Sequence, residues 1–377
     1  MSQEKKITTI PPEVDEALRQ RFTREDLARY IRPVWEGNTV CGETLMFVPD
    51  GATREIAPAP LLYPPTEVLA VCSPDGSIRY EEGTDYTVTP DGCIALTENT
   101  RIYRWEYDDY YLDHIEQYGL PSRSAPGRFL KYAEGDYFTK TQVWVTYTHA
   151  GKWNGPIPAY AGDVLKNTAE KLKAGEPLRI VYNGDSICVG CNASGWLGNP
   201  PYIPSWTDLI TQELEAVYGG PVEAVNTAVG GTIAQWGADN VQENILQHKP
   251  DLVVLRFGTN DATQGYTTEF FKENMEKILL AVRAENPACE FILVASTPCN
   301  PDVEGWTTPH HWGNQEAVLE LARQYPGVAA VPMLDIEAYL LTRKRYWDMA
   351  GNNINHYNDF MTRVQGSAVA QLLVETL

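Results

Sequence analysis

The stretch LRIVYNGDSICVG, residues 178–190, joins a short apolar run to a polar, glycine-containing turn that carries Ser186. Two later stretches have the same form: VEAVN runs into residues 227–232, and DLVVLRF runs into residues 258–261. Such apolar runs, separated by segments with the apolar spacing of helices, predict a parallel sheet with helices on both faces. Because the carboxyl ends of parallel strands meet at one edge of a sheet, we expect the three polar turns to lie side by side there.

The first part of the chain has a different pattern. From about residue 34 to residue 147, short runs of strand-forming residues alternate with turns such as Pro74-Asp75-Gly76 and Pro90-Asp91-Gly92. This alternation is typical of an antiparallel β-sandwich or barrel. We therefore predict an N-terminal all-β, sandwich-like domain in residues 1–155 and an α/β domain in residues 156–377.

The charge balance narrows the set of partners. The 377 residues include 30 Lys and Arg against 50 Asp and Glu, which gives a net charge of −20. This charge repels nucleic-acid phosphates and anionic membrane surfaces, so neither is an expected partner. The sequence has no run of roughly 18 apolar residues, as a membrane span needs, and no apolar signal-peptide core. We expect a cytoplasmic protein, or a secreted one if a signal peptide has been removed.

The polar turns hold groups that serine hydrolysis needs, namely a hydroxyl nucleophile and donors for the oxyanion. Ser186 supplies a hydroxyl, and its backbone N–H lies at a predicted helix start. A glycine at position 230 or 231 lets a second backbone N–H approach closely, and Asn260 offers a side-chain amide. These residues predict an oxyanion site beside a serine nucleophile.

The same chemistry needs a histidine as general base. His356 stands out among the six histidines because it lies in a loop, NNINHYNDFM, between the last predicted strand unit and the C-terminal helix. That loop is able to fold back over the edge of the sheet. His310 and His311 are the rival candidates.

Four segments resemble the signature blocks of the SGNH hydrolase superfamily, also called GDSL esterases and lipases. NGDSI, NTAVGGT, FGTND and NHYND occur in the order and approximate spacing of those blocks, and the resemblance covers about residues 176–377. It implies a three-layer α/β/α fold of flavodoxin-like type. It also implies that Ser186 is the nucleophile and His356 is the general base. The three oxyanion-hole donors would be the Ser186 N–H, the Gly231 N–H (or that of Gly230) and the Asn260 side chain. Asp185 and Asp261 would be structural.

The sequence departs from this pattern at one position. The superfamily usually has an aspartate three residues before the histidine, and this chain has Asn353 there. Asn353 could orient His356 as a neutral amide, a backbone carbonyl could do so in a Ser–His dyad, or Asp348 could reach in. The amide and dyad interpretations are favoured. A neutral partner stabilises an imidazolium less well, so we expect modest activity or a preference for activated esters unless another carboxylate helps.

Cys188 and Cys191 form a Cys-x-x-Cys beside the nucleophile, a spacing that metal or redox sites share. A structural zinc needs about four ligands, and no second close pair is present among the other cysteines and histidines. We therefore expect packed thiols, with no metal and no cofactor.

Three tryptophans in predicted loops of the second half, Trp196, Trp306 and Trp312, offer flat surfaces suited to a sugar ring. The β-domain followed by a hydrolase domain resembles several carbohydrate acetylesterases of the superfamily, in which a jelly-roll domain comes first. These features predict an O-acetyl esterase acting on a plant-type oligo- or polysaccharide such as xylan or mannan. The alternatives are a general acyl-ester or thioester hydrolase or lipase, and a non-catalytic carbohydrate-binding protein with a degenerate hydrolase fold.

Overall fold

The structure is a computed structural model that describes residues 30–114 and 119–376. In the N-terminal part, the described strands are β1 (Thr39–Leu45), β2 (Ala59–Pro60), β3 (Pro65–Cys72), β4 (Arg79–Tyr80), β5 (Tyr86–Val88), β6 (Cys93–Leu96), β7 (Tyr111–Leu112), β8 (Gly119–Pro121), β9 (Phe129–Lys131) and β10 (Val143–His149). They form antiparallel sheets with the orders β1-β10-β3-β4, β2-β6-β5 and β7-β9-β8. The predicted all-β character of this part is confirmed.

Alternation along β10 shows why these residues form a half-buried strand. The residues at positions 143, 145, 147 and 149 are buried, and those between them are partly exposed. A strand has a side-chain period of two, so every second residue of β10 faces the core. The predicted boundary near residue 155 lies between the end of β10 and the first helix of the second part, which begins at Lys166.

The second part is built on one five-stranded parallel sheet. Its strands are β11 (Leu178–Gly184), β12 (Val222–Asn226), β13 (Leu252–Arg256), β14 (Glu290–Val294) and β15 (Val328–Val331). The order is β12-β11-β13-β14-β15, which is the 2-1-3-4-5 order of flavodoxin-like sheets. Every residue of β13 and β14 is buried, as expected for central strands covered on both faces. The predicted fold class is confirmed.

Two groups of helices pack beside this sheet. The helices of the described chain are α1 (Tyr107–Tyr110), α2 (Lys166–Ala174), α3 (Ser186–Val189), α4 (Ser194–Leu197), α5 (Trp206–Tyr218), α6 (Ala234–Asp239), α7 (Val241–Asn244), α8 (Thr259–Thr263), α9 (Thr268–Glu285), α10 (His310–Gln324), α11 (Met333–Leu340) and α12 (Asp359–Leu373). Helix α5 contacts α2 and α12, whereas α9 contacts α6 and α10. Helix α12 is buried along its whole length because it also contacts β1 of the N-terminal part.

Buried polar contacts join the two parts of the chain. Lys344 Nζ lies 2.7 Å from Glu43 Oε1, and both side chains are fully buried. Farther along the interface, the backbone N–H of Ser124 donates to Asp302 Oδ1 at 2.6 Å. The N-terminal part therefore lies against loops that follow the strands of the parallel sheet. Within the described residues, no helix has the length and apolar character needed to cross a membrane.

Candidate active site

The turn after β11 fixes the position of Ser186. Asp185 is the N-cap of α3, and its Oδ1 accepts a hydrogen bond from the Ile187 N–H at 3.0 Å. A side chain at Gly184 would overlap the carbonyl oxygen of Arg256, so this close approach of two strands needs glycine. Ser186 is the first residue of α3 and is 7% exposed. Its hydroxyl is therefore held at the carboxyl edge of the sheet, as predicted.

An ion pair lies directly beneath this turn. Arg256 Nη1 is 2.6 Å from Asp185 Oδ2, and both side chains are buried. The same Nη1 donates to Thr259 Oγ1 at 2.7 Å. Asp185 thus links the serine turn to the end of β13, which leads to Asn260, and it holds the geometry of both turns.

His356 contacts the serine directly. Its Nε2 lies 2.8 Å from Ser186 Oγ. The loop that carries His356 is held by Asn352, whose Oδ1 accepts from the backbone N–H groups of residues 354, 355 and 356, each at 3.0 Å. The structure therefore places His356, the histidine chosen from the sequence, beside Ser186.

The rival histidine His311 lies elsewhere. Its ring contacts Thr308, whose N–H donates to His311 Nδ1 at 3.2 Å. The side chain is buried in α10, and this burial lowers the pKa of His311 to about 4. His311 therefore remains neutral at physiological pH and serves the packing of α10. Its neighbour His310 begins α10 and is partly exposed.

Two acceptors meet the other ring nitrogen of His356. Asn192 Oδ1 lies 2.8 Å from His356 Nδ1, and Glu134 Oε2 lies 2.9 Å from it. Asn192 is fully buried, and its Nδ2 donates to the carbonyl oxygen of Gly135 at 2.8 Å, which fixes the orientation of the amide. Glu134 is separated from His356 by 222 residues and belongs to the N-terminal part. Sequence reasoning found neither residue, because neither belongs to a signature block.

The two residues expected to orient His356 do not do so. Asn353 is buried, and its Oδ1 accepts from the Tyr110 hydroxyl at 3.0 Å while its Nδ2 donates to the carbonyl oxygen of Lys131 at 2.9 Å. Asn353 has a φ of 70°, a left-handed conformation that asparagine tolerates, and its amide is committed to these N-terminal groups instead of the imidazole.

Asp348, the alternative acid, is also committed elsewhere. Its Oδ1 accepts from the Met46 N–H at 2.7 Å, and its Oδ2 is paired with Arg345 Nε at 3.0 Å. The carboxylate is completely buried in the interface between the two parts of the chain. The third alternative was a backbone carbonyl that orients His356. Two side chains, those of Asn192 and Glu134, contact His356 Nδ1 in its place.

Glu134 carries a charge at this position. Partial burial raises its pKa, but the hydrogen bond and charge of His356 and the hydrogen bond from Asn352 outweigh that effect, so the pKa of Glu134 lies below its usual value. The Asn352 Nδ2 donates to Glu134 Oε1 at 3.0 Å. The Glu134 side chain is 55% exposed, so solvent screens part of its charge.

The expected oxyanion donors of the glycine loop and Asn260 lie in the loops after β12 and β13. Gly230 lies beside Ser186, since a Cβ at Gly230 would be 3.6 Å from the Cβ of Ser186. Gly231 has a φ of 79° and is exposed, with open space around the position of a Cβ. The Asn260 Nδ2 donates to the carbonyl oxygen of Thr232 at 2.9 Å, which fixes its amide next to the glycine loop. Asn260 is thus joined to the glycine loop through Thr232, and that loop lies beside the serine at Gly230.

Asp261 braces the loops after β12 and β13. Its carboxylate accepts from the N–H groups of Ala234 and Gly258, each at 3.1 Å. Burial raises the pKa of Asp261 to about 7, although these hydrogen bonds lower it. The residue is fully buried and fixes the loop that carries Asn260, in agreement with the structural role that the sequence resemblance implied.

The two cysteines near Ser186 are free thiols. Burial raises the pKa of Cys188 well above its usual value, and burial together with the charges of Glu134 and Asp185 raises the pKa of Cys191 to about 12. In residues 30–114 and 119–376, no group of three or more His, Cys, Asp or Glu side chains has the arrangement of a metal site. Both thiols are neutral at physiological pH and pack as apolar groups.

The three tryptophans lie in different settings. Trp306 is in a loop and packs, partly buried, against a cluster that includes Val303 and Ile354. Trp196 lies in α4 and Trp312 lies in α10, so the expectation that all three are in loops is wrong for these two. Trp312 is 50% exposed, the most exposed of the three.

Taken together, these groups can perform acyl transfer. A hydroxyl lies within hydrogen-bond distance of an imidazole, the imidazole is fixed through its second nitrogen, and Gly230 lies beside the serine in a loop that is bonded to the Asn260 amide. This is the arrangement of a nucleophile, an oriented base and oxyanion donors.

Parts of this chain are similar to known proteins. Residues 183–363 match the model of the GDSL-like Lipase/Acylhydrolase family. An arylesterase from Vibrio mimicus is 26% identical over 105 residues, which are 28% of this chain and 48% of the arylesterase, so the match spans about half of that relative.

Solved structures of esterases are also similar. A two-domain esterase active on acetylated mannans, co-crystallised with mannopentaose, is 21% identical with a TM-score of 0.46, covering 58% of this chain and 55% of that one. A variant of an acetyl xylan esterase from Geobacillus stearothermophilus is 18% identical with a TM-score of 0.43, covering 53% of this chain and 96% of that one. Residues 183–363 are therefore similar to the GDSL-like Lipase/Acylhydrolase family.

Proposed function

We propose that this protein is a serine carboxylic ester hydrolase that forms an acyl-enzyme on Ser186. The observation that carries the proposal is the 2.8 Å contact between Ser186 Oγ and His356 Nε2, made by an imidazole whose Nδ1 is held by acceptors. A non-catalytic protein with a degenerate fold would have no need to keep this contact. The usual aspartate is missing from the sequence, yet the ring nitrogen that it would bind is occupied.

The proposed reaction begins with His356 neutral and protonated at Nδ1, so that Nε2 accepts the Ser186 proton. Ser186 Oγ then forms a bond to the ester carbonyl carbon, and the carbonyl π electrons move to the oxygen. Hydrogen bonds from Ser186 N–H, the glycine loop and the Asn260 amide stabilise this oxyanion. The imidazolium gives its proton to the leaving alkoxide as the C–O bond breaks. Water, deprotonated by His356, hydrolyses the acyl-enzyme by the same steps.

The acyl group of the proposed substrate is short. The 352–356 loop has one aliphatic side chain, Ile354, and it is 1% exposed. The 258–261 loop has none. These two loops therefore offer no aliphatic surface for a long acyl chain, and we propose that the enzyme removes acetyl groups.

The alcohol part of the proposed substrate is a carbohydrate, such as an oligo- or polysaccharide of the xylan or mannan type. Trp312 is half exposed and Trp306 is partly exposed in segments that lead from the sheet edge, where the flat indole rings could contact sugar rings. The net charge of −20 does not oppose a neutral polysaccharide, whereas it repels anionic acyl carriers.

The hydrolase proposal is tested by comparing the wild-type protein with Ser186→Ala and His356→Ala on a nitrophenyl acetate. Both variants are expected to lose activity to a similar extent, because the two residues act as one unit. His310→Ala is the matched control, since this partly exposed histidine is not in contact with Ser186, and it should retain activity. Equal rates for the wild-type protein and Ser186→Ala would reject the proposal.

The substrate class is tested separately. Acetate release from acetylated xylan and acetylated mannan is compared with hydrolysis of nitrophenyl esters of increasing chain length. We expect acetate release from at least one polysaccharide, and falling kcat/KM as the acyl chain lengthens. Preferred hydrolysis of long-chain esters with no acetate release would contradict the carbohydrate proposal and leave the hydrolase proposal standing.

A further inference from the structure

We propose that Glu134, supplied by the N-terminal β part, is the acidic positioning residue of His356. It would take the place of the aspartate that the family signature usually has three residues before the histidine. This inference rests on the proposed hydrolase function and deepens it. Glu134 lies outside residues 183–363, the segment that matches the family model, so the family pattern does not assign it.

The first support is the contact itself. His356 Nδ1 has one proton to donate, and it faces both Asn192 Oδ1 at 2.8 Å and Glu134 Oε2 at 2.9 Å. The Asn192 amide oxygen accepts the Nδ1 proton, so it fixes the tautomer of the ring, but this amide is neutral. A carboxylate adds a charge-assisted hydrogen bond, which strengthens when the ring takes up the serine proton. The two acceptors therefore share the two roles of an aspartate. Asn192 orients the ring, and Glu134 stabilises the imidazolium.

The second support is the way in which Glu134 is held. Three asparagines of the hydrolase part donate hydrogen bonds to the segment 131–135. Asn192 donates to the carbonyl oxygen of Gly135 at 2.8 Å, and Asn352 donates to Glu134 Oε1 at 3.0 Å. Asn353 donates to the carbonyl oxygen of Lys131 at 2.9 Å. Asn353 occupies the position of the usual aspartate. Asn353 therefore acts on the imidazole indirectly, because it holds the segment that carries the Glu134 carboxylate.

The third support is the ionisation of the groups around the ring. Partial burial raises the pKa of Glu134, but its contacts with His356 and Asn352 lower the pKa by more than burial raises it. The carboxylate therefore stays charged near neutral pH. Cys191 lies near Glu134, and burial together with the Glu134 charge raises the pKa of this thiol to about 12, which keeps it neutral.

Two other charged side chains close to Glu134 along the chain have different partners. Asp136 pairs with Lys140, with 3.8 Å between its Oδ1 and the Lys140 Nζ. The Lys131 ammonium lies over the ring of Tyr137, 5.3 Å from its centroid. Glu134 is therefore the charged residue of this segment that contacts the His356 ring.

The size of the expected effect follows from exposure. A hydrogen bond from a neutral to a charged group contributes more than a neutral one, but the Glu134 side chain is 55% exposed and solvent screens it. Asn192 still holds the ring when the charge is removed. We therefore expect Glu134→Gln to lower kcat/KM about tenfold at neutral pH, mainly through kcat, which is far less than the loss expected for Ser186→Ala.

The test compares Glu134→Gln, Glu134→Asp and Asp136→Asn in the full chain with nitrophenyl acetate. Asp136→Asn is the matched control, because it removes the same charge two residues farther along the chain, at a side chain that is 49% exposed and contacts Lys140. We expect Asp136→Asn to stay within about twofold of the wild-type protein. Glu134→Asp keeps the charge and should recover part of the activity that Glu134→Gln loses.

The pH profile separates an electrostatic role from a structural one. Without the carboxylate the imidazolium is less stable, so the acidic limb of kcat/KM against pH should move to lower pH in Glu134→Gln while the plateau falls. A purely structural role would lower the plateau and the melting temperature and leave the acidic limb in place, which would overturn the proposal. Wild-type kcat/KM and pH profile in Glu134→Gln would also overturn it. If Ser186→Ala is as active as the wild-type protein, the hydrolase proposal has failed instead.

Discussion

Removing one partner of the buried ion pair under the serine turn should strongly destabilise the hydrolase part. Arg256 Nη1 lies 2.6 Å from Asp185 Oδ2, with 0% and 1% of the two side chains exposed. Asp185→Asn keeps an oxygen that can accept from the Ile187 N–H, so the change removes the charge and keeps the shape. The Arg256 guanidinium then remains buried without its counter-charge.

The magnitude follows from what else could neutralise Arg256. Glu337 is a nearby buried acid, but burial raises its pKa to about 8, so it is mostly protonated at neutral pH and does not replace the charge of Asp185. Breaking a buried ion pair by removing one partner costs about 3–5 kcal/mol. For a folded unit of about 200 residues, a loss of that size lowers the melting temperature by roughly 6–20 °C.

The measurement is thermal and urea unfolding followed by circular dichroism. Asp239→Asn, which removes an exposed carboxylate from α6, is the control and should change the free energy of unfolding by less than about 0.5 kcal/mol. Adding Arg256→Met to Asp185→Asn removes the unpaired charge and should recover part of the loss. A loss below about 1 kcal/mol in Asp185→Asn, or a double variant less stable than Asp185→Asn, would refute the reasoning.

Two further outcomes are expected. Asn260→Ala should lower kcat for a nitrophenyl acetate by roughly 10²–10³-fold with little change in KM, because the amide is the proposed oxyanion donor; an unchanged kcat would contradict that role. Burial raises the pKa of Glu337 from 4.5 to about 8, so the folded protein holds a proton that the unfolded chain has lost, and stability falls as pH rises through this range. Glu337→Gln should flatten that fall in urea unfolding measured from about pH 5 to pH 8.5, and an unchanged slope would show that Glu337 does not titrate in this way.

Local sequence patterns predicted the catalytic half of the site well. The apolar runs of β11 and β13 are continuous, so they mark buried parallel strands, and the polar residues that follow them must lie at the carboxyl edge. Ser186 and Asn260 therefore lie where the sequence placed them. His356 was found because its loop precedes the last helix, and the structure brings it to 2.8 Å from Ser186.

The orientation of His356 was not predictable in the same way. Sequence distance suggested Asn353 or Asp348, but a short separation along a loop does not fix the direction of a side chain. The left-handed conformation at Asn353 goes with an amide bonded to Tyr110 and Lys131, and Asp348 is taken up by Met46 and Arg345. Asn192 was within reach of the sequence argument, six residues after Ser186, but nothing in its spacing distinguishes it.

The sequence by itself determined the parallel sheet, the antiparallel part, the serine turn and the histidine that contacts Ser186, because each depends on residues that are close along the chain or follow a strand directly. Only the tertiary structure decided what binds the second nitrogen of His356. Glu134 is 222 residues away from that nitrogen, and its position depends on packing between two parts of the chain that no local pattern encodes. A contact of this kind exists only once both parts have folded and the three asparagines have formed their hydrogen bonds to the segment 131–135.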